Sequence, residues 1–465
     1  MGNHLRHPIT SKVVEREGNE QYTAAVAAMN GFRESMEDAH CMVCTSKYGL
    51  FGVFDGHSGS QCSTFCGEML PNELQNATIP ISDEGLVDIT LRIDDKFRSQ
   101  CKESGCTACY FVVTPGPKPG DFSLQVANVG DSRIIVGRNG GAECISMTED
   151  HKPSLPHEKE RIERCGGTVA MDRVDGMLAM SRAMGDNEYK VSPGGPLEQK
   201  VIAKPDITHV QCTAADWVIV ACDGVFESNF TNEEVVEFVK QQMEQNADDI
   251  AKVACAVCDE ALKRGSTDNI TCMVVQFKDG SAFRKDVEFI PGPYHPTKDN
   301  FRKAYKSMAE KAGLTLGRAL EMRYDLIREQ MAQRINALKS DTIKQGMQDE
   351  EMKSLQEELA YFKPGPMKLE GAARTQWFGQ LAERLDPVEE DGIPGMNLDP
   401  ATLERIRERL NAAGPEGLAN LFNNVVADPD GDGDDCVPMQ QDSSSSEAPK
   451  AKPKPSAKNS KKKGK

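Results

Sequence analysis

The stretch "FSLQVANVGDSRIIVGRNG", residues 122–140, carries two apolar runs of strand length separated only by Gly130, Asp131 and Ser132. It reads as two neighbouring antiparallel strands, and that restricts the fold more than any other segment. Further strands are predicted at "LFGVF" (50–54), "ACYFVVT" (108–114), "WVIVAC" (217–222) and "NITCMVVQF" (269–277). Helical patterns cover 84–103, 157–165, 232–245 and 247–264. Helices and strands do not alternate strictly, which disfavours a doubly wound parallel sheet. The fold class expected is α+β, with two central antiparallel β-sheets sandwiched between helices (α-β-β-α).

This organisation spans residues 21–282, preceded by a polar, irregular segment at 1–20. A total of 465 residues exceeds what one hydrophobic core usually fills. The remainder changes character after "FIPGPYHPTKDN", which reads as a linker. In 283–425, Leu320, Tyr324, Ile327, Met331, Ile335 and Leu338 recur at spacings of three and four, the stripe of an amphipathic helix. Asp399 as N-cap with Pro400 behind it announces another helix, carrying Leu403, Ile406 and Leu410 on one face. Such stripes are first of all core, and only secondarily surfaces on which a partner docks. Residues 426–465, acidic at first and then rich in Lys, Ser and Pro, have the composition of a disordered tail. Asp428, Asp430, Asp432 and Gly433 begin a calcium-loop pattern, but Met439 stands where Glu should close it.

A formal charge of −17 argues against a general nucleic-acid surface. No apolar run approaches the roughly 18 residues of a spanning helix, and the first ten residues lack the apolar core of a signal peptide. A cytoplasmic protein with reduced thiols is expected, the terminal lysines leaving room for partial nuclear import. Three Cys-x-x-Cys pairs (Cys41/Cys44, Cys106/Cys109, Cys255/Cys258) lie in strand-like or helical runs rather than Gly-rich knuckles, so they read as core thiols and not as zinc ligands.

Four strands have an Asp at one end. "LFGVF" runs into Asp55-Gly56, "WVIVAC" into Asp223-Gly224 and "VANVG" into Asp131, while Asp268-Asn269 stands directly before "ITCMVV". Any one of these is ordinary turn chemistry. Together they would set carboxylates at one end of a sheet, where mutual repulsion raises their pKa values unless a cation neutralises them. The ligands are all oxygen donors, so the cation should be hard, Mg²⁺ or Mn²⁺. "GFRESMEDAH" adds Arg33, a guanidinium that could grip a phosphate, with Glu37 and Asp38. Carboxylates for metals, an arginine for an oxyanion and His57 for a proton make up the parts of metal-assisted phosphoester hydrolysis.

At these positions the sequence resembles the metal-dependent type 2C protein serine/threonine phosphatases. The motifs occur in order: "RESMEDAH" (33–40), "GVFDGHSG" (52–59), "SGCTA" (104–108), "VANVGDSR" (126–133), "TEDHKP" (148–153), "EKERIERCGGTV" (158–169), "RVDGMLAMSRAMGD" (173–186), "VIVACDGVFE" (218–227) and "GSTDNIT" (265–271). The resemblance implies that Asp55 bridges two metals, that Glu37 and the Gly56 carbonyl serve one, and that Asp223 and Asp268 serve the other. It implies that Asp38 holds metal-bound water, Arg33 clamps the phosphate and His57 protonates the leaving seryl or threonyl oxygen. A metal-bridging hydroxide then attacks phosphorus with no phosphoenzyme, and phosphorylated proteins are the substrates.

Departures accompany the likeness. A weaker third metal site in the family would use Asp131 and Asp223 with an Asp where this chain has Glu227. Cys106 and Ser58 replace a common Ser and Gly. Gly2 invites N-myristoylation and with it reversible membrane attachment, although position 6 is Arg instead of Ser or Thr. Two other functions compete: a scaffold that keeps the fold without turnover and acts through its helices, and a metal nuclease, which the net charge disfavours.

Overall fold

The computed structural model describes residues 4–340, 350–363, 365–366 and 368–386. Gly2, the helix announced by Asp399 and the acidic run at Asp428 lie outside the described residues. Seven strands form one antiparallel sheet in the order Glu143–Ser146, Arg133–Arg138, Trp217–Ala221, Ile270–Gln276, Thr23–Arg33, His4–Gly18 and Val287–Ile290. Five form the second: Asp206–Thr213, Asp121–Val129, Ala108–Pro115, Gly49–Phe54 and Ala39–Cys44, also antiparallel. The two runs of 122–140 are therefore not paired neighbours. The turn at Gly130–Ser132 carries the chain from one sheet to the other, because each run has a face that belongs to the core between the sheets.

The layers follow from strand periodicity. In Trp217–Ala221, Trp217, Ile219 and Ala221 face the helices Asn232–Gln245 and Ile250–Arg264, whereas Val218 and Val220 join Phe51, Phe111, Phe122 and Met273 between the sheets. Both faces are covered, so the strand reads as one uninterrupted apolar run. The other outer layer, Gln61–Gln75 and Asp83–Gln100, packs on the five-stranded sheet through Leu70, Leu74, Ile89, Ile93 and Phe97. Helix starts match their cap chemistry: Ser82 accepts a hydrogen bond from the Gly85 N–H, and Thr231 with Glu234 forms a reciprocal capping box.

Two expectations about the ends of this region need correction. Residues 4–18 are not irregular: they form a strand between Thr23–Arg33 and Val287–Ile290. Its charged residues hid it, yet they are paired, Arg16 lying buried against Asp249 at 2.9 Å, Asp286 at 3.1 Å and Glu288 at 2.8 Å, and Lys12 against Asp259 at 2.6 Å. The segment read as a linker likewise begins as the edge strand Val287–Ile290 and continues through the buried Tyr294.

The helices that follow are Asp299–Lys311, Leu316–Ser340, Glu350–Leu359 and Gly371–Leu385. They enclose a core of their own with the seven-stranded sheet, in which Ile9, Val13, Ala28 and Met36 meet Phe301, Tyr305, Met308, Leu320, Tyr324, Ile327, Phe362 and Phe378. The predicted stripe is thus core as far as Ile327, with Met331 at its margin and Ile335 exposed. Among the described residues no helix is long and apolar enough to cross a membrane. The Cys106/Cys109 pair is split between layers, Cys106 facing the outer helical core and Cys109 the core between the sheets.

Candidate metal centre

Both sheets deliver carboxylates to one place. Asp55 follows Gly49–Phe54, and its backbone is pinned by Thr107, whose hydroxyl accepts from the Asp55 N–H at 2.9 Å. Asp223 follows Trp217–Ala221, and Asp268 precedes Ile270–Gln276. Asp38 and Glu37 arrive on the turn after Thr23–Arg33, held by Asn269, whose side-chain oxygen accepts from the Glu37 N–H at 2.8 Å. Carboxylate oxygens of Asp223, Glu227 and Asp268 lie within 4.8 Å of one another, as do those of Asp38 and Asp55 together with the Cys222 sulfur. A side chain at Gly56 would place its Cβ 2.3 Å from the Glu37 carbonyl oxygen, so this close approach requires glycine.

The electrostatics are those of an anionic pocket short of positive charge. Burial pushes Asp55 and Asp223 well above the usual carboxylate range; Asp223, Asp38, Asp268 and Asp131 add to it at Asp55, and Asp131, Asp268 and Glu227 at Asp223. Burial, with Asp268 beside it, lifts Asp38 to about 6 against the opposing hydrogen bond from Thr271. Asp268 and Glu227 are raised by burial as well, Arg33 partly offsetting it at Asp268. Asp38 accepts from the Thr271 hydroxyl at 2.6 Å through Oδ2, while its buried Oδ1 has no partner. Asp131 accepts from Lys152 at 2.6 Å and likewise keeps a buried, unpartnered Oδ1. Crowded oxygens, raised carboxyls and orphaned acceptors are what a site for hard divalent cations looks like, and the residues present fit such ions.

Arg33 lies at the rim, its guanidinium donating to Asp268 Oδ2 at 2.5 Å. His57 meets a residue that the sequence reading passed over: Nε2 lies 2.8 Å from both oxygens of Asp186. Burial disfavours the imidazolium, but the hydrogen bond and charge of Asp186 outweigh it and raise the His57 pKa. Nδ1 is buried with no partner. Gly105 makes the pair fit, since a Cβ there would sit 2.4 Å from His57 Nε2 and 2.5 Å from the Asp186 carboxyl carbon. Asp186 has φ of +51°, a conformation that Asp tolerates better than most residues. The sequence offered one hint, its place at the end of "RAMGD". Two cations also went unread: Lys152, and Lys311 of the helical region, which donates to the Met36 carbonyl at 2.9 Å.

Residues 22–270 match the family model for protein phosphatase 2C, more than half of the chain. The chain belongs to the protein phosphatase 2C family, the metal-dependent class of protein serine/threonine phosphatases. It is 34% identical over 321 residues to bovine protein phosphatase 1B, covering 62% of this chain and 64% of that protein. It is also 34% identical over 305 residues to a probable protein phosphatase 2C 6 of Paramecium tetraurelia, covering 60% of this chain and all of that one. A phosphatase crystal structure from a pathogenic strain of Toxoplasma gondii superposes with a TM-score of 0.55 at 28% identity, covering 60% of this chain and 100% of that chain.

Proposed function

We propose that this chain hydrolyses phosphoserine and phosphothreonine in proteins, with Glu37, Asp55, the Gly56 carbonyl, Asp223 and Asp268 holding two Mg²⁺ or Mn²⁺ ions. One observation carries the reading: buried and half-buried carboxylates from both sheets converge beside a rim arginine. When bound, two divalent ions neutralise these charges and make water acidic enough to attack phosphorus at neutral pH.

The remaining work belongs to side chains. Asp55, between Asp38 on one side and Asp223 on the other, would be placed to ligate the ions. Asp38, one oxygen fixed by Thr271 and the other free, holds the attacking water. Arg33 keeps the phosphate in line with it. Asp186 secures the proton on His57 Nε2, leaving Nδ1 to protonate the departing seryl or threonyl oxygen. Water's oxygen ends on phosphate and the His57 proton on the alcohol, so no enzyme group carries the phosphoryl. A third, weaker ion at Asp131, Asp223 and Glu227 would have to share Asp131 with the Lys152 ammonium, which holds its Oδ2.

Phosphate release from a phosphothreonine peptide tests this. Release that requires Mn²⁺ or Mg²⁺ and stops with EDTA is expected, with no cleavage of DNA. A folded, metal-supplied chain that releases none from several phosphopeptides contradicts the proposal and returns the scaffold reading.

A further inference from the structure

A second cluster of ligating side chains lies one strand away from the metal centre. Cys62 and Cys66, four residues apart on one face of Gln61–Gln75, point at Cys106 of the short strand Gly105–Cys106. The Cys106 sulfur is 3.4 Å from that of Cys62 and 3.8 Å from that of Cys66, and all three lie within 4.8 Å of one another. Each residue is at most 1% exposed. None of the three Cys-x-x-Cys pairs marks this group, which joins a Cys-x₃-Cys on a helix to a cysteine 40 residues further on.

We propose that Cys62, Cys66 and Cys106 form a binding site for a single soft, thiophilic metal ion, Cu(I), separate from the carboxylate centre.

The spacing is the first reason. Sulfurs bound at about 2.3 Å to one ion stand about 4 Å apart when the ion lies in their plane and slightly less when it lies above it. Two sides of the thiol triangle, 3.4 and 3.8 Å, are already near this spacing and the third is within 4.8 Å, so binding asks for little rearrangement. Ligand chemistry is the second: all-sulfur sites select soft ions, and the oxygen donors of the neighbouring centre select hard ones. Zinc prefers four ligands, whereas no fourth His, Cys, Asp or Glu completes this group among the described residues.

Charge is the third. One Cu(I) with two thiolates and one retained thiol carries a net −1, the two displaced protons passing to solvent. Lys190, buried against Asp94 at 2.8 Å, favours a thiolate at Cys62, while at Cys66 the Asp94 charge opposes it. Hydrogen bonds from Cys106 and Cys62 draw the Cys66 thiol down to about 6, although burial raises Cys62 and Cys106. The bland alternative is three thiols packed as small apolar groups, and it predicts no retained metal.

Position gives the site a consequence. Cys106 pairs in register with Gly56, and Gly105 with His57. An ion tying Gln61–Gln75 to Gly105–Cys106 therefore braces the strand that fixes two residues of the metal centre.

The test uses the full chain, reduced and kept anaerobic, loaded with Cu(I) and challenged with a Cu(I)-specific chelator. Metal content is read directly, so the outcome does not depend on phosphatase activity. One Cu(I) per chain should survive the challenge in the wild type, with a thiolate-to-metal charge-transfer band. Cys62→Val and Cys66→Ala should each lower the affinity at least tenfold, and Cys212→Ser, in the core between the sheets, should leave it unchanged. Thermal melts establish that each variant is folded, and the wild type alone should melt higher with Cu(I). Loss of Cu(I) by a folded wild type, or equal retention by folded Cys62→Val and Cys66→Ala, overturns the proposal.

Discussion

His57 and Asp186 are 129 residues apart, yet their side chains meet at 2.8 Å, and in the proposed mechanism the proton chemistry of the site turns on that contact. Asp186 raises the pKa of His57 against the effect of burial, which keeps the imidazolium available as an acid. His57→Gln should lower kcat on a phosphothreonine peptide about 100-fold, the scale of general acid catalysis. It should matter far less with an aryl phosphate, whose leaving group needs no proton; equal losses on both substrates would remove His57 from the acid role. Asp186→Asn should lower kcat at least several-fold with little change in KM, since Asp186 positions the acid and does not touch the phosphate. Steady-state kinetics separates the two parameters.

Strands and turns set these residues in place, and here the sequence was partly transparent. Asp55, Asp223 and Asp268 were legible because a sheet fixes the side chains at its strand ends, so repeated Asp endings translate directly into convergence. Asp186 was not legible, because it sits in a loop at positive φ and meets His57 only through the gap left by Gly105. Gly105→Ala should therefore cost most of the activity while circular dichroism and melting stay near wild type; an active Gly105→Ala enzyme would mean that the His57–Asp186 contact is dispensable. The assignment of 122–129 and 133–138 to different sheets was also hidden, since both have the periodicity of half-buried strands and only tertiary packing chooses their partners. The helix Pro156–Arg164 depends on a buried ion cluster, in which Glu158, fully buried, accepts from Arg161 and from Arg182 at 2.8 Å. Burial works against the Glu158 charge, but the two guanidinium groups hold its pKa below the usual value. Its contribution is thus complete above the ordinary glutamate pKa and fades as pH falls through the lowered one. Glu158→Gln, which takes the carboxylate partner from buried Arg161 and leaves Arg182 only Asp206, should cost about 3 kcal/mol at neutral pH, measured by urea unfolding.

At the scale of the whole molecule, the helices beyond residue 298 are joined to the phosphatase core and are not a detachable appendage. Phe301, Tyr305 and Met308 cover Ile9, Val13 and Ala28, and Lys311 reaches the turn that carries Glu37 and Asp38. The sequence separated these regions because the composition changes at 283, whereas the packing crosses that boundary through the strand His4–Gly18 and its edge partner Val287–Ile290. Truncation before Asp299 should expose this apolar surface and lower the melting temperature or abolish soluble expression. Phe301→Ala should cost about 3 kcal/mol, and a neutral result would show that the helical core does not support the sheet. The central claim is that carboxylates from both sheets, Asp55 among them, hold the cations that drive phosphoester hydrolysis. The most direct measurement is phosphate release from a phosphothreonine peptide by wild type and Asp55→Asn side by side, across a Mn²⁺ titration with an EDTA control. Metal-dependent turnover in the wild type, with a loss of at least 100-fold in a folded Asp55→Asn that excess Mn²⁺ does not rescue, is the result expected. Comparable turnover by the two proteins at any Mn²⁺ concentration would contradict the account.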